Sequence, residues 1–532
     1  MITLEVSTPF QAYQVPRADQ TALVSPPLAE APGLLKENQR LAAGWSFEFA
    51  GIPIAQLRQQ ARVDLLAAAN QYTSAYRDYS GPQDPTSILL AGHQPQLFHP
   101  GVWFKNFALS KLGHSLSATP INLVVDNDLR GSGSVRVPAE GPDGRIQAAS
   151  IAYDDPGASV PFEQHRIANR QLFNSFDERL AAAVAPWVDS PCVFEMWKHA
   201  RKAAERCENT GCALASARHA VEGELGLQTL ELPLSVACRS RSFAAFLIGL
   251  VGDLPRLHAC YNDSVLEYRA AHGIRSQAHP VPLLGESDGW LEAPLWLYGD
   301  DAPERRQVWV KQQGDLLYLS DLQGVTVSID YDPESPEMAD QLYRLQSANF
   351  KLRPRALVTT MYSRLILGDL FLHGIGGGKY DQLGDRIMGR FFEITPPSFM
   401  VMSATVWLPR IGEAADSESV TRLQRMIRDT RFNPQRFFPG ADRPEELLAE
   451  HRALLANVPT GAEKSEWHRR LMDVNTKLSA MLDSVRSRLA AQQREAQEHS
   501  RQWNVLASRE IPFCAYPLEM LDETFTKLLS QH

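Results

Sequence analysis

The chain alternates short apolar runs with stretches patterned at helical spacing. In "IAQLRQQARVDLLAAANQYTSAY", Leu57, Ala61, Leu65 and Ala69 recur every four residues, which sets them on one helix face. "SGPQDPTS" then breaks the chain with two prolines and a glycine, and the run "SILLAG" predicts a strand. A helix is predicted from about Pro100 and Gly101, with Phe104, Phe107 and Ala108 on one face. A second short run, "PINLVVDNDL", ends in Asp126, Asn127 and Asp128. Strand, helix and strand at this spacing predict a βαβ unit with parallel strands.

Residues 34 to 80 read as mainly helical, and 150 to 230 as a helix-rich insertion. Between 280 and 330, alternating runs such as "RQVWVKQ" and "DLLYLSDL" predict a small β-hairpin subdomain. From about 440 the texture changes: Leu471, Val474, Leu478, Leu482, Val485 and Leu489 recur at spacings of three and four, as in a coiled-coil seam. "NVPTGAE" is a turn between a helix over about 444–456 and a longer one over about 463–508, an antiparallel hairpin; a parallel dimer through the same seam is the competing reading. The expected division is a mainly helical 1–85, the first part of a parallel-sheet core over 86–150, a connecting insertion over 151–230, the rest of the core over 231–435, a helical hairpin over 436–508 and a return to the core over 509–532.

With 532 residues the chain exceeds one ordinary core. Hydrophobic residues are 44% and charged residues 22%, and the net charge of −9 argues against a nucleic-acid footprint. The first twenty residues lack the basic start and apolar core of a signal peptide, and no run reaches transmembrane length. A cytoplasmic protein with a small-molecule substrate and no membrane or nucleic-acid partner is the expectation. Cys192, Cys207, Cys212, Cys238, Cys260 and Cys514, without any CxxC, are expected as free thiols in a reducing compartment.

In open parallel sheets, ligands sit at the carboxyl ends of the strands. "GHQPQLFHPG" lies there, bringing Gly92, His93, Gln94 and His99 to a helix start at Gly101. Unpaired amides at a helix N-terminus bind anions, and imidazoles beside them add donors. His93 and His99 are therefore candidate catalytic groups, against the plain reading that they satisfy a turn. Lys105, one turn on, is a phosphate contact or a solvated lysine. Asp126, Asn127 and Asp128 read as a metal, amine or base site, or as an Asx turn. "HGIGGGKYDQLGD" supplies His373, Gly374, Gly376, Gly377, Gly378, Lys379 and Tyr380 as a glycine-rich ligand loop or a structural turn; the P-loop spacing fails, because His373 and Tyr380 stand where glycine and Ser/Thr are needed. Arg353, Arg355 and Arg364 suit carboxylate or phosphate, or form ion pairs. "GESDG" matches G-x-S-x-G but no helix follows it, so a nucleophilic Ser287 is rejected. With neither HExxH nor paired CxxC, no zinc is expected.

Taken in order, these blocks resemble the BshC family of bacillithiol biosynthesis, the cysteine-adding ligases. "GHQPQLFHPGVWFKNFAL" resembles its G-Q-Q-x-G-L-x-x-G-P block, "LVVDNDL" its strand ending E-D-H-D, and "LRPRALVTT…LHGIGGGKYDQL" its R-P segment and G-G-P-G-E-x-x-Y loop. "ELPLSVACRSRSFAAFL", "YNDSVLEYRAAHG" and "LEAPLW" match middle segments, and the order spans about residues 85 to 530. The resemblance implies an α/β fold with a Rossmann-like core, connecting subdomains, a coiled coil that forms a homodimer, and ATP-linked joining of cysteine to a glucosaminyl-malate substrate. It carries function onto Gly92, Gln94, Lys105, Asp126, Arg353, Gly374, Gly376 and Tyr380. The chain departs from the pattern at His93, at Asn127 and Asp128, and at Gly377, where the family has Gln, His-containing and Glu positions.

The resulting expectation is an ATP-dependent ligase with phosphates on the helix after Gly101, His93, His99 and Lys105 as donors, and Asp126 or Asp128 binding an amine or Mg²⁺. ATP or ADP, with Mg²⁺, is the expected cofactor set. The alternatives are a non-enzymatic ligand-binding or dimeric scaffold relative, and an enzyme like the nucleotidylyltransferases, whose histidine-glycine signature "H-P-G" resembles in part.

Overall fold

The computed structural model describes residues 10–275, 281–412, 417–438 and 443–532. Strand β1 (Thr21–Ser25) precedes helix α1 (Ile54–Ser74), strand β2 (Ile88–His93), helix α2 (Pro100–Leu116) and strand β3 (Thr119–Val124). A helix-rich stretch closes with α3 (Thr210–Glu224) and leads into β4 (Leu230–Pro233). After a two-residue strand at Glu286–Ser287, five longer strands follow: β5 (Trp290–Tyr298), β6 (Arg306–Gln313), β7 (Leu316–Ser320), β8 (Thr326–Asp330) and β9 (Lys351–Pro354). Then come α4 (Ala356–Tyr362), β10 (Leu370–His373), α5 (Ile375–Phe391) and β11 (Phe399–Thr405).

The fold is mixed α/β. One sheet runs β1-β11-β10-β2-β3-β4, parallel from β11 to β4, with β1 antiparallel at the edge. A second, antiparallel sheet runs β8-β7-β6-β5-β9. The expected βαβ unit is β2-α2-β3, paired from Ile88↔Thr119 to His93↔Val124. Ile88, Leu89, Leu90 and Ala91 are all buried, which is why β2 reads as a continuous apolar run. The α1 stripe of Leu57, Ala61, Leu65 and Ala69 is buried as its spacing predicts. Arg58 and Arg62, also on α1, reach buried Asp369, which in turn accepts the Ile88 amide at 3.0 Å. One carboxylate thus ties α1 to the starts of β2 and β10.

β1 falls in the segment expected to be mainly helical. Of its residues only Val24 is buried, so pairing with β11 rather than an apolar run makes it a strand. The free-thiol reading is corrected at one place: Cys207 and Cys212 form a disulfide across the turn between two helices, with Cα atoms 6.5 Å apart. Cys192, Cys238, Cys260 and Cys514 are free.

The chain divides into two units. The first comprises Met1–Val137, Ala149–Trp407 and Arg509–His532, and holds both sheets. The second comprises Pro138–Ala148 and Leu408–Ser508, so the change from core to helices falls earlier in the chain than residue 436. It contains α6 (Ser417–Phe432), α7 (Glu445–Ala456), α8 (Lys464–Ala480) and α9 (Asp483–Leu506). The single long helix expected over about 463–508 is broken between α8 and α9, where buried Leu482 leaves helical geometry at φ −103° and ψ 16°. Val474, Leu478, Leu482 and Leu489 of the expected seam are buried within the chain. Trp467 donates to the Leu454 carbonyl at 2.7 Å, closing α8 onto α7. Among the described residues, no single helix is long and apolar enough to cross a membrane.

Candidate functional site

At the carboxyl ends of β2, β3 and β10 lies a cleft of about 830 Å³ in the first unit. Its walls bring together three segments that are far apart in sequence: Gly92 to Gln94 with His99 and Gly101, Asn127 with Asp128, and His373 to Gly377. The register explains the convergence. Leu372 pairs with Ala91 on β2, and His93 with Val124 on β3, so all three strands end at one edge.

Three histidines face the cleft, and the partner of each sets its tautomer. His93 Nδ1 stands 3.1 Å from the Gln94 carbonyl, an acceptor, so Nδ1 carries the proton and Nε2 the lone pair. His99 caps α2: its Nδ1 accepts the Gly101 amide at 3.1 Å, which leaves the proton on Nε2. His373 Nε2 lies 2.8 Å from a carboxylate oxygen of Asp381, so Nε2 donates and Nδ1 keeps its lone pair. Burial, then the Lys105 charge, lowers His93 to about 3; burial, then Arg509, lowers His99 to about 4. Burial also lowers His373, partly opposed by Asp381. All three rings are neutral at pH 7, with His99 a donor and the other two acceptors.

The two long helices that start at the cleft differ in what they offer an anion. In α2, Pro100 has no amide hydrogen, the Gly101 amide is held by His99, and the Val102 amide bonds the His99 carbonyl at 3.0 Å. Its first turn is satisfied from within. In α5, Gly374 is the extended cap residue and no side chain caps the turn, so the Ile375, Gly376 and Gly377 amides are open. The expected glycine-rich loop is therefore a helix first turn. Its glycines keep negative φ and serve close approach instead. A Cβ at Gly378 would stand 2.3 Å from Val401 Cγ2, and one at Gly377 2.8 Å from His373 Nδ1.

The lining is also cationic and aromatic. Arg305 and Arg355 both stack on Trp296, at 4.7 and 4.2 Å from the ring centre. Arg355 also bonds Glu292 at 2.5 Å. Asp128 accepts from Arg305 at 3.0 Å and from Gln94 at 2.8 Å. Arg509, which bonds Ser403, completes the set of guanidinium groups in the lining.

Several expected site residues lie behind the walls. Asp126 accepts from the amide and hydroxyl of Ser235, and burial, then Glu163, raises it to about 7. Arg353 is fully buried in a two-point pair with Glu163. Arg364 pairs with Asp381 and Asp385. Lys105 donates to the Gly92 carbonyl at 2.6 Å under β2, and burial lowers it to about 7. Lys379 and Tyr380, like Gly378, do not line the cleft, whereas Asn127 does and anchors to the Pro354 carbonyl at 2.8 Å. Asp126 and Asp128 therefore do not converge as a cation pair, and no group of three or more metal-type ligands occurs among the described residues.

Sequence reasoning missed Trp296, Arg305, Arg509 and Asp381. Asp381 had a local signal, since it lies two turns beyond His373 once the glycines are read as helix. The others come from the β-hairpin and the C-terminal return and carry no local mark. No protein-family model and no curated protein matches the chain.

Proposed function

We propose that the chain is an ATP-linked ligase of the BshC kind, forming a C–N bond between an amino acid, with cysteine the family's choice, and a small acidic substrate. In this reading the parallel sheet is a Rossmann-like core and the helical unit corresponds to the family's coiled coil. The phosphates rest on the first turn of α5, not on α2 as the motif around Gly101 led one to expect.

The observation that carries this reading is the open set of Ile375, Gly376 and Gly377 amides, facing a cleft that also holds Arg305, Arg355 and Arg509. Helix amides and guanidinium groups together favour a phosphorylated ligand. The cleft volume suits a nucleotide-sized molecule. ATP, when bound, supplies an activated phosphoryl group. His99 adds a neutral donor through Nε2, and His93 offers a lone pair for the proton of an attacking amine. Asp128 is neutralised by Arg305 and hydrogen-bonded by Gln94, so these side chains do not fit a ready Mg²⁺ site.

Calorimetry with ATP and ADP, with and without Mg²⁺, tests the reading. Ile375→Pro removes one amide at the first helical position, where proline is tolerated after an extended residue. It is expected to weaken nucleotide binding about tenfold, the worth of one charge-assisted hydrogen bond. His99→Ala, which removes a single neutral donor, is expected to weaken binding only a fewfold. Failure of both nucleotides to bind, or full affinity in Ile375→Pro, refutes the proposal.

A further inference from the structure

We infer that the first turn of α5 takes up a phosphoryl group together with one proton, shared between Nδ1 of His373 and a phosphoryl oxygen. The inference rests on the reading of α5 as the anion site and adds the protonation state of what it binds: a phosphate monoester or the terminal phosphate of a nucleotide, whose dianion carries no proton of its own.

The geometry leads there directly. His373 is 4% exposed and lines the cleft, and its Nε2 is committed to Asp381 at 2.8 Å. Asp381 accepts only, so the lone pair stands on Nδ1, which has no partner among the described residues. Nδ1 faces the turn closely enough that a Cβ at Gly377 would lie 2.8 Å away. An anion seated on the Ile375, Gly376 and Gly377 amides then meets this lone pair at short range. Two electron pairs repel unless a proton lies between them, and that proton comes either on the ligand or onto the ring.

The surroundings allow the ring to carry it. Asp381 faces Nε2 from α5 and is itself held by Arg364 at 2.8 Å and by the Thr360 hydroxyl of α4 at 2.6 Å. Asp385 shares Arg364. Lys105 of α2 is the other charge acting on the ring, and Phe371 and Phe399 pack on it from β10 and β11. Arg364 and Lys105 oppose protonation in the empty cleft, whereas Asp381 supports it. A phosphate dianion at Nδ1 reverses the balance.

Titration calorimetry with ADP at pH 8, where its terminal phosphate is a dianion without a P–OH group, reads the proton in two buffers of different ionisation enthalpy. About one proton taken up per ADP is expected, with affinity falling about tenfold per pH unit as the pH rises, the slope for one linked proton. Sulfate has no dissociable proton in this range, so the same uptake with sulfate puts the proton on the protein. His373→Gln is expected to bind either anion more weakly and without proton uptake. Gly377→Ala, which sets a methyl group against Nδ1, is expected to do the same, and serves if His373→Gln does not fold. Binding without uptake, or uptake unchanged in both variants, overturns the inference and leaves the anion site standing. No binding of ADP or sulfate overturns the site and the inference together.

Discussion

His373 and Asp381 are joined at 2.8 Å, from the last residue of a strand to a helix that begins two residues later, and Arg364 donates to the same carboxylate oxygen at the same distance. The arrangement holds the ring of His373 in one tautomer and one orientation. Burial alone would favour the neutral acid at Asp381, but Arg364 and His373 outweigh it and the carboxyl lies below its ordinary value.

Asp381→Asn is therefore expected to destabilise the fold by about 3 kcal/mol, the scale for breaking a buried ion pair. Urea denaturation checks it. Because the folded value is lowered, the contribution of Asp381 is present above about pH 4 and is lost as acid titrates the folded carboxylate. The destabilisation should thus shrink when the two proteins are compared well below pH 4.

His93 and His99 carry the same sign from the base side. Each is lowered in the folded state, so the unfolded chain binds protons first, and stability falls as the pH drops below about 6.5. Asp126, raised to about 7, and Asp385, raised to about 6, run in the opposite direction over pH 7 to 4. The difference between wild type and a His93→Gln/His99→Asn double mutant isolates the histidines, and asparagine keeps the helix cap. Between pH 7 and 5 the wild type is expected to lose at least about 2 kcal/mol more stability than the double mutant loses. Parallel pH profiles of the two proteins would rule this out.

Asp369 sits between Arg58 and Arg62 with all three side chains largely out of water. Asp369→Asn leaves two guanidinium groups without a counter-charge and is expected to cost about 3–5 kcal/mol. The loss should appear in the urea midpoint, since α1, β2 and β10 all meet at this carboxylate.

Two glycines make a paired test of close packing. A Cβ at Gly101 would lie 2.2 Å from the Ala404 carbonyl, so Gly101→Ala has to push α2 off β11 and is expected to lower stability by about 2 kcal/mol or more. A Cβ at Gly376 meets nothing within 4 Å, and Gly376→Ala is expected to be neutral or to add up to about 1 kcal/mol. Thermal unfolding of the two mutants distinguishes them; an equal effect would contradict the packing described for α2.

Much of the local structure was legible because burial leaves a periodic trace. The four-residue stripe of α1 and the unbroken apolar run of β2 each require nothing beyond neighbours in the chain. β1 was not legible, since its strand character comes from hydrogen bonds to β11. Nor was the Cys207–Cys212 pair, which depends on how one turn folds.

The cleft divides along the same line. The sequence by itself determined that His93 and Asn127 stand at or just beyond strand ends, because apolar runs stop there, whereas it gave His373 only as the start of a glycine-rich loop or turn. Only the tertiary structure decided which polar groups remain free to act. Arg353, Arg364, Asp126 and Lys105 are consumed by partners that lie from about a dozen to more than a hundred residues away. Two helix starts alike in sequence also part ways: a histidine one residue before α2 turns back to cap it, while α5 begins on a glycine with no side chain to do so. Capping is a matter of one hydrogen bond in space, and that bond closes the first turn of one helix while the other stays open.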